Sequence, residues 1–148
     1  MAVRVRRLGV ASLADVVPLV DAFCATGATR TQTETMLAAL QQSLQVNPLF
    51  FLWGAKVNRE LVGFMAAYQN VTLEGVELWI LACYIVPGSP LAVGDELLRS
   101  AENTCRALGW SKMVARTLRQ TEGGLEEERA WARHGFVPES VVLERVVE

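Results

Sequence analysis

One short apolar stretch of this chain carries a carboxylate, a thiol and a phenol: Glu77, Cys83 and Tyr84 all fall within residues 76–86. A turn follows at once, Pro87-Gly88-Ser89-Pro90-Leu91-Ala92-Val93-Gly94, and behind it Leu97, Leu98, Ala101, Cys105 and Leu108 recur at helical spacing up to the stop signal of Gly109. Strand, glycine-containing turn and helix in that order leave unpaired backbone N–H groups and a partial positive charge at the helix start, a site suited to phosphate. The same pattern describes an ordinary strand-to-helix connection, because short glycine patterns are weak signals. His134 is the lone histidine. It titrates in a useful range, but its place at a helix end fits a surface role stabilised by the helix dipole.

The elements that must position these groups follow from periodicity. Residues 76–86 are almost wholly apolar, β-branched and aromatic, as in a central strand buried on both faces. Before them, residues 3–8 alternate as a first strand, with Arg4, Arg6 and Arg7 read as solvent-facing. Ser12 is a candidate N-cap for a helix carrying Val16, Leu19, Val20 and Phe23, with Pro18 in its early turns. Thr31 or Thr33 caps a second helix that ends at Asn47-Pro48. Residues 49–57 and 61–69 form an antiparallel hairpin about Asn58-Arg59-Glu60. Past the long helix come a strand over 112–118 and a helix from Glu122 to Arg133. A strand starting at Phe136 and a final strand over 141–146 complete the order βααβββαβαββ. The expected class is α/β (α+β): a mixed, mostly antiparallel central sheet of six to seven strands flanked by four helices, with 76–86 and 112–118 parallel through a crossover.

Composition narrows the function classes. The 148 residues are expected to form one domain over 1–148, and 51% of them are hydrophobic, enough to supply a single core. A net charge of −2 argues against a dedicated nucleic-acid binder. No apolar run reaches membrane-spanning length and no signal-peptide core is present. Cys24, Cys83 and Cys105 fit no metal or redox spacing and read as small buried hydrophobes of a reducing compartment. The expectation is a cytoplasmic protein with no metal site.

The element order resembles the GNAT acyltransferase superfamily, which moves an acetyl group from acetyl-CoA to an amine. Arg7 with Asp15 and Val16 is similar to the family's opening pattern R-x-A-x-x-x-D-x-x-x-I. The hairpin over 49–69, with Gly54 and the returning Leu61-Val62-Gly63, is similar to its second and third strands. Trp131-Ala132-Arg133-His134-Gly135-Phe136-Val137 is similar to the family's Y-E-K-x-G-F junction. The family's acetyl-CoA loop, Q/R-x-x-G-x-G/A, aligns here with Ser89-Pro90-Leu91-Ala92-Val93-Gly94: the last Gly is kept, Ala92 replaces the middle one and Ser89 the leading residue.

The resemblance implies acetyl-CoA as co-substrate and direct attack of an amine on its thioester. It assigns cofactor binding to Ile85, Val86, Ser89, Leu91, Ala92, Val93, Gly94 and Asp95, with an N–H near Ile85 polarising the carbonyl. Two neighbouring strands must then part after Tyr84 to admit the pantetheine arm. Glu77 is the implied base and Tyr84 the implied proton donor to the departing sulfur, since Trp131 stands where the family has a tyrosine and an indole has no acidic hydroxyl. Cys83 could attack a thioester only if exposed. The acceptor, a small-molecule or peptide amine, is set by the loop Ala25 to Thr33, where Arg30 would meet an acidic group on it. A homodimer is compatible with the apolar last strands. Ser89, Pro90, Asp95 and Trp131 also fit the alternative of a catalytically inactive GNAT-like binding or assembly module.

Overall fold

The computed structural model describes residues 2–117, 122–138, 145 and 147. Among them five strands form one sheet in the order β1-β2-β3-β4-β5: β1 (Val3–Arg7), β2 (Phe50–Val57), β3 (Glu60–Thr72), β4 (Gly75–Ile85) and β5 (Met113–Ala115). The first three pairings are antiparallel and β4 pairs with β5 in parallel. The helices are α1 (Leu13–Ala25), α2 (Thr33–Val46), α3 (Ala92–Leu108) and α4 (Glu122–Arg133). Among the described residues no helix is long and apolar enough to cross a membrane.

Strand alternation sorts the core into two layers. Phe51, Trp53, Met65, Leu78 and Ile80 point to one face, where Val93, Leu97, Ala101 and Cys105 of α3 and Trp131 of α4 cover them. Phe50, Leu52, Phe64, Ala66 and Ala82 point to the other, under Val16, Leu19, Val20 and Phe23 of α1 and Leu40 of α2. The β2–β3 hairpin turns on Asn58 and Arg59, both left-handed at φ 51° and 67°. This is the primed geometry whose twist matches the flanking strands.

Several expectations change. The sheet has five strands among the described residues, not six to seven. The strand expected from Phe136 is absent over 136–138, because the Phe136 amide closes α4 instead. It donates to the Trp131 carbonyl at 3.2 Å, and Gly135 at φ +85° donates to that of Ala132 at 3.1 Å, the Schellman arrangement. The same device ends α3 at Gly109 and Trp110. The strand expected over 141–146 falls on residues of which 141–144 and 146 lie outside the described set. Ser12 precedes α1 without a capping side-chain bond. Gln32, not a threonine, precedes α2, and the Thr33 hydroxyl donates to Asp21 at 2.9 Å. Arg7 is not merely solvated: its guanidinium lies 4.4 Å from the centroid of the Phe51 ring and donates to the Pro48 carbonyl at 2.9 Å.

Candidate active site at the open edge of β4

The site begins with one extra residue. In the β3–β4 ladder Ala66 faces Ala82 and Ala67 faces Ile80, so Leu81 bulges out of register and is 42% exposed. A bulge shifts the phase of everything after it. Before it, the Leu78 amide points to β5 and donates to the Lys112 carbonyl at 3.0 Å. After it, even-numbered amides turn to β3, and Val86 donates to the Val62 carbonyl at 2.8 Å. Alternation then aims the amides of Cys83 and Ile85 at the β5 side. On that side β5 pairs with Leu78, Trp79 and Ile80 only, among the described residues. Among the described residues the β4–β5 ladder ends at the Ile80–Ala115 pair, and the amides of Cys83 and Ile85 face the β5 side beyond it.

The connection to α3 is built by local chemistry. Pro87 and Gly88, the latter at φ +86°, form a turn closed by the Ser89 amide on the Val86 carbonyl at 3.1 Å, as proline and glycine at those places favour. The Ser89 hydroxyl donates to the same carbonyl at 2.6 Å. No side chain caps α3. Its Val93 amide is engaged with the Pro90 carbonyl at 3.0 Å, and the Val93 side chain is fully buried. Leu91 is 93% exposed. Glu96 is drawn along the helix to Arg99 at 2.6 Å, and Asp95 Oδ1 lies 3.9 Å from His134 Nδ1. A Cβ on Gly94 would press the Ile85 side chain at 3.3 Å and lie in ordinary contact, 3.9 Å, with His134 Nε2. The uncapped tip of α3 thus abuts the end of β4, where Ile85 and Gly94 meet.

The bulge also decides which side chains share a face. Cys83 and Ile85 pack with the α3–α4 layer, whereas Tyr84 and Val86 pack with the α1–α2 layer. Glu77 lies seven residues before Tyr84, which is about 20 Å along a strand, so the two implied catalysts are not brought together. Glu77 is 8% exposed. It accepts the Trp79 indole N–H at 3.0 Å and faces Lys112 Nζ at 3.4 Å. Arg30 is exposed in the α1–α2 connection. The first turn of α4 reaches this connection, since a Cβ on Gly123 would land on the Thr26 carbonyl oxygen. A surface groove of about 520 Å³ between α1 and α2 is lined by none of the residues implied from sequence.

One residue was missed. Glu127 on α4 accepts the Trp131 indole N–H at 3.3 Å. Burial pushes its carboxyl up to about 7, against the opposing effect of that hydrogen bond. Burial, with the Glu127 charge adding to it, pushes the Cys83 thiol up to about 12, so Cys83 is a poor nucleophile. In sequence Glu127 is one acid among Glu122, Glu126 and Glu128. Its only signal is its spacing, one helical turn before Trp131.

No family model and no curated protein matches this sequence. Solved structures do. An aminoglycoside acetyltransferase from an uncultured soil metagenomic sample matches at TM-score 0.75 and 16% identity, over 100% of both chains. The ribosomal-protein-alanine N-acetyltransferase of Brucella melitensis biovar Abortus 2308 matches at 0.71 and 18% identity, over 99% of both. The aminoglycoside N-acetyltransferase AAC(6')-Iy, solved with CoA, matches at 0.77 and 16% identity, over 98% of this chain and 95% of that one. The chain has the GNAT fold. On this GNAT frame the bulge at Leu81, the outward amides of Cys83 and Ile85 and the uncapped start of α3 fall on one continuous strand–turn–helix unit.

Proposed function

We propose that this GNAT domain, spanning residues 1–148, transfers an acetyl group from acetyl-CoA to an amine by direct attack on the thioester. The observation that supports the reading is that the amides of Cys83 and Ile85 face the β5 side beyond the last described β4–β5 pair, on the strand that leads to the uncapped tip of α3. Backbone donors at that tip suit a diphosphate, and an extended pantetheine arm fits beside the open edge of β4 as an added strand. The Ile85 amide then meets the negative charge that develops on the thioester oxygen. Placing the amine against the carbonyl supplies up to about 7–11 kcal/mol of the barrier, more than the roughly 10²–10⁴-fold expected of a general base.

The acceptor enters from the α1–α2 side, past Tyr84 and the connection carrying Arg30. Neighbours of the same fold are named for aminoglycosides and for a ribosomal-protein alanine. An α-amino group, with a pKa near 8, needs less help from a base than a lysine near 10.4. Glu77 is far from Ile85 and already engaged, so as a base it would reach the amine only through water. That favours an N-terminal or small-molecule amine of low basicity.

Calorimetry and thermal melting with millimolar acetyl-CoA and CoA test the reading. A ligand at 100 times its Kd stabilises the fold by about 2.7 kcal/mol. Binding heat and a raised Tm are expected; neither appearing would sink the proposal. The contact of Asp95 with His134 across the α3 tip supports a second reading, a GNAT-shaped binding module with no turnover. Under it, thiol release from acetyl-CoA stays at background across a broad panel of amines.

A further inference from the structure

We propose that Glu127 is the acid that protonates the departing CoA sulfur, a role that the indole of Trp131 cannot fill and that Tyr84 is badly placed to fill. The inference rests on the acetyl-CoA reading above. Its geometry has three parts. Glu127 belongs to α4, which lies with α3 over the face of the sheet where Cys83 and Ile85 pack. Its carboxyl is held there by the Trp131 indole at 3.3 Å, and Trp131 is itself fixed against Phe136, ring centroids 4.9 Å apart. Cys83, whose amide faces the β5 side, feels the Glu127 charge directly. Among the described residues, Glu127 bears on the Cys83 thiol of β4 and accepts from the Trp131 indole of its own helix. The assignment requires that a cofactor seated on the α3 tip bring its sulfur in on this face. Tyr84 packs in the opposite layer, the side left to the acceptor.

The step balances without any further reactant. The neutral amine forms the C–N bond with the carbonyl carbon, the C–S bond breaks and its electron pair goes to sulfur. The Glu127 carboxyl gives its proton to that sulfur, making the CoA thiol. The carboxylate left behind takes up the surplus proton of the new amide nitrogen. A carboxyl that burial holds near 7 is half protonated at neutral pH and suits both transfers.

The test needs no acceptor. A protonated Glu127 donates to the thioester sulfur of acetyl-CoA, whereas an ionised Glu127 accepts from the thiol of CoA. The ratio of the two dissociation constants, measured by calorimetry from about pH 6 to 8, should therefore change about tenfold, as a charge-assisted hydrogen bond to a weak donor allows. Titration of the phosphates is common to both ligands and cancels in the ratio. In E127Q, which keeps an acceptor for the Trp131 indole, the ratio should be flat across the range, while Y84F should keep the wild-type trend. A flat wild-type ratio, or a trend that survives E127Q, overturns the assignment and leaves the acetyl-CoA reading standing. If neither ligand binds the wild type, the acetyl-CoA reading itself has failed, and this assignment with it.

Discussion

The indole nitrogen of Trp131 donates to the Glu127 carboxylate at 3.3 Å, one turn back along α4, and does not hold it in the ordinary carboxylate range. Burial dominates, so the folded protein prefers the protonated form. The stability this contributes is fully present below the unfolded value near 4.5 and is lost as the pH rises through about 7. E127Q carries no such titration. Discounted for solvent screening, it should be more stable than wild type by about 1–2 kcal/mol at pH 8, with the gap closing below about pH 5. Urea unfolding at the two pH values checks this.

Ile85 donates away from β3, so a proline there removes an outward donor and spares the ladder, as edge positions permit. I85P should lower thiol release from acetyl-CoA by about 10²–10³-fold, the usual effect of losing one oxyanion donor. Its CoA affinity, read by calorimetry, should stay within about tenfold of wild type.

Asp95 sits in the first turn of α3, where it favours the helix dipole but opposes a diphosphate. D95N should bind CoA about two- to fivefold more tightly and lose about 0.3–1 kcal/mol of stability. Paired calorimetry and melting would reveal the opposite signs.

Glu77 answers a different question. E77A leaves the Trp79 indole without its acceptor and should cost about 1–3 kcal/mol. E77Q restores an acceptor and should recover most of that loss. If stability is unmoved by E77A while thiol release collapses, Glu77 is the base after all.

Gly123 has no room for a side chain against the Thr26 carbonyl, and backbone yields poorly. G123A should destabilise the protein by about 1–3 kcal/mol, measured by urea unfolding. Its first local effect should be faster hydrogen exchange of the Thr26–Ala28 amides.

Much of this was readable from local pattern. The β2–β3 turn at Asn58, the strand β4, the length of α3 and its stop at Gly109 all follow from neighbours close in the chain, although β4 is not buried on both faces as its composition suggested, Leu81 being 42% exposed. The site was less legible. The bulge at Leu81 depends on how β4 registers against β3, and nothing in Ile80-Leu81-Ala82 announces it. Glu127 looks like a solvated acid until α4 is laid against β4. The strand expected at Phe136 failed because apolar residues after a glycine read alike whether their amides join a ladder or close a helix. Arg7 reads as a surface charge until Phe51 comes beneath it.

The inserted Leu81 has a consequence for heredity. The donors it turns outward belong to the main chain, so every side chain around them can be exchanged while the hydrogen-bonding surface persists. Losing a single codon there would invert that surface, although all the neighbouring residues stayed the same. A lineage under such rules can drift far in spelling while its architecture holds still, which accords with a chain that matches solved structures throughout at 10–18% identity.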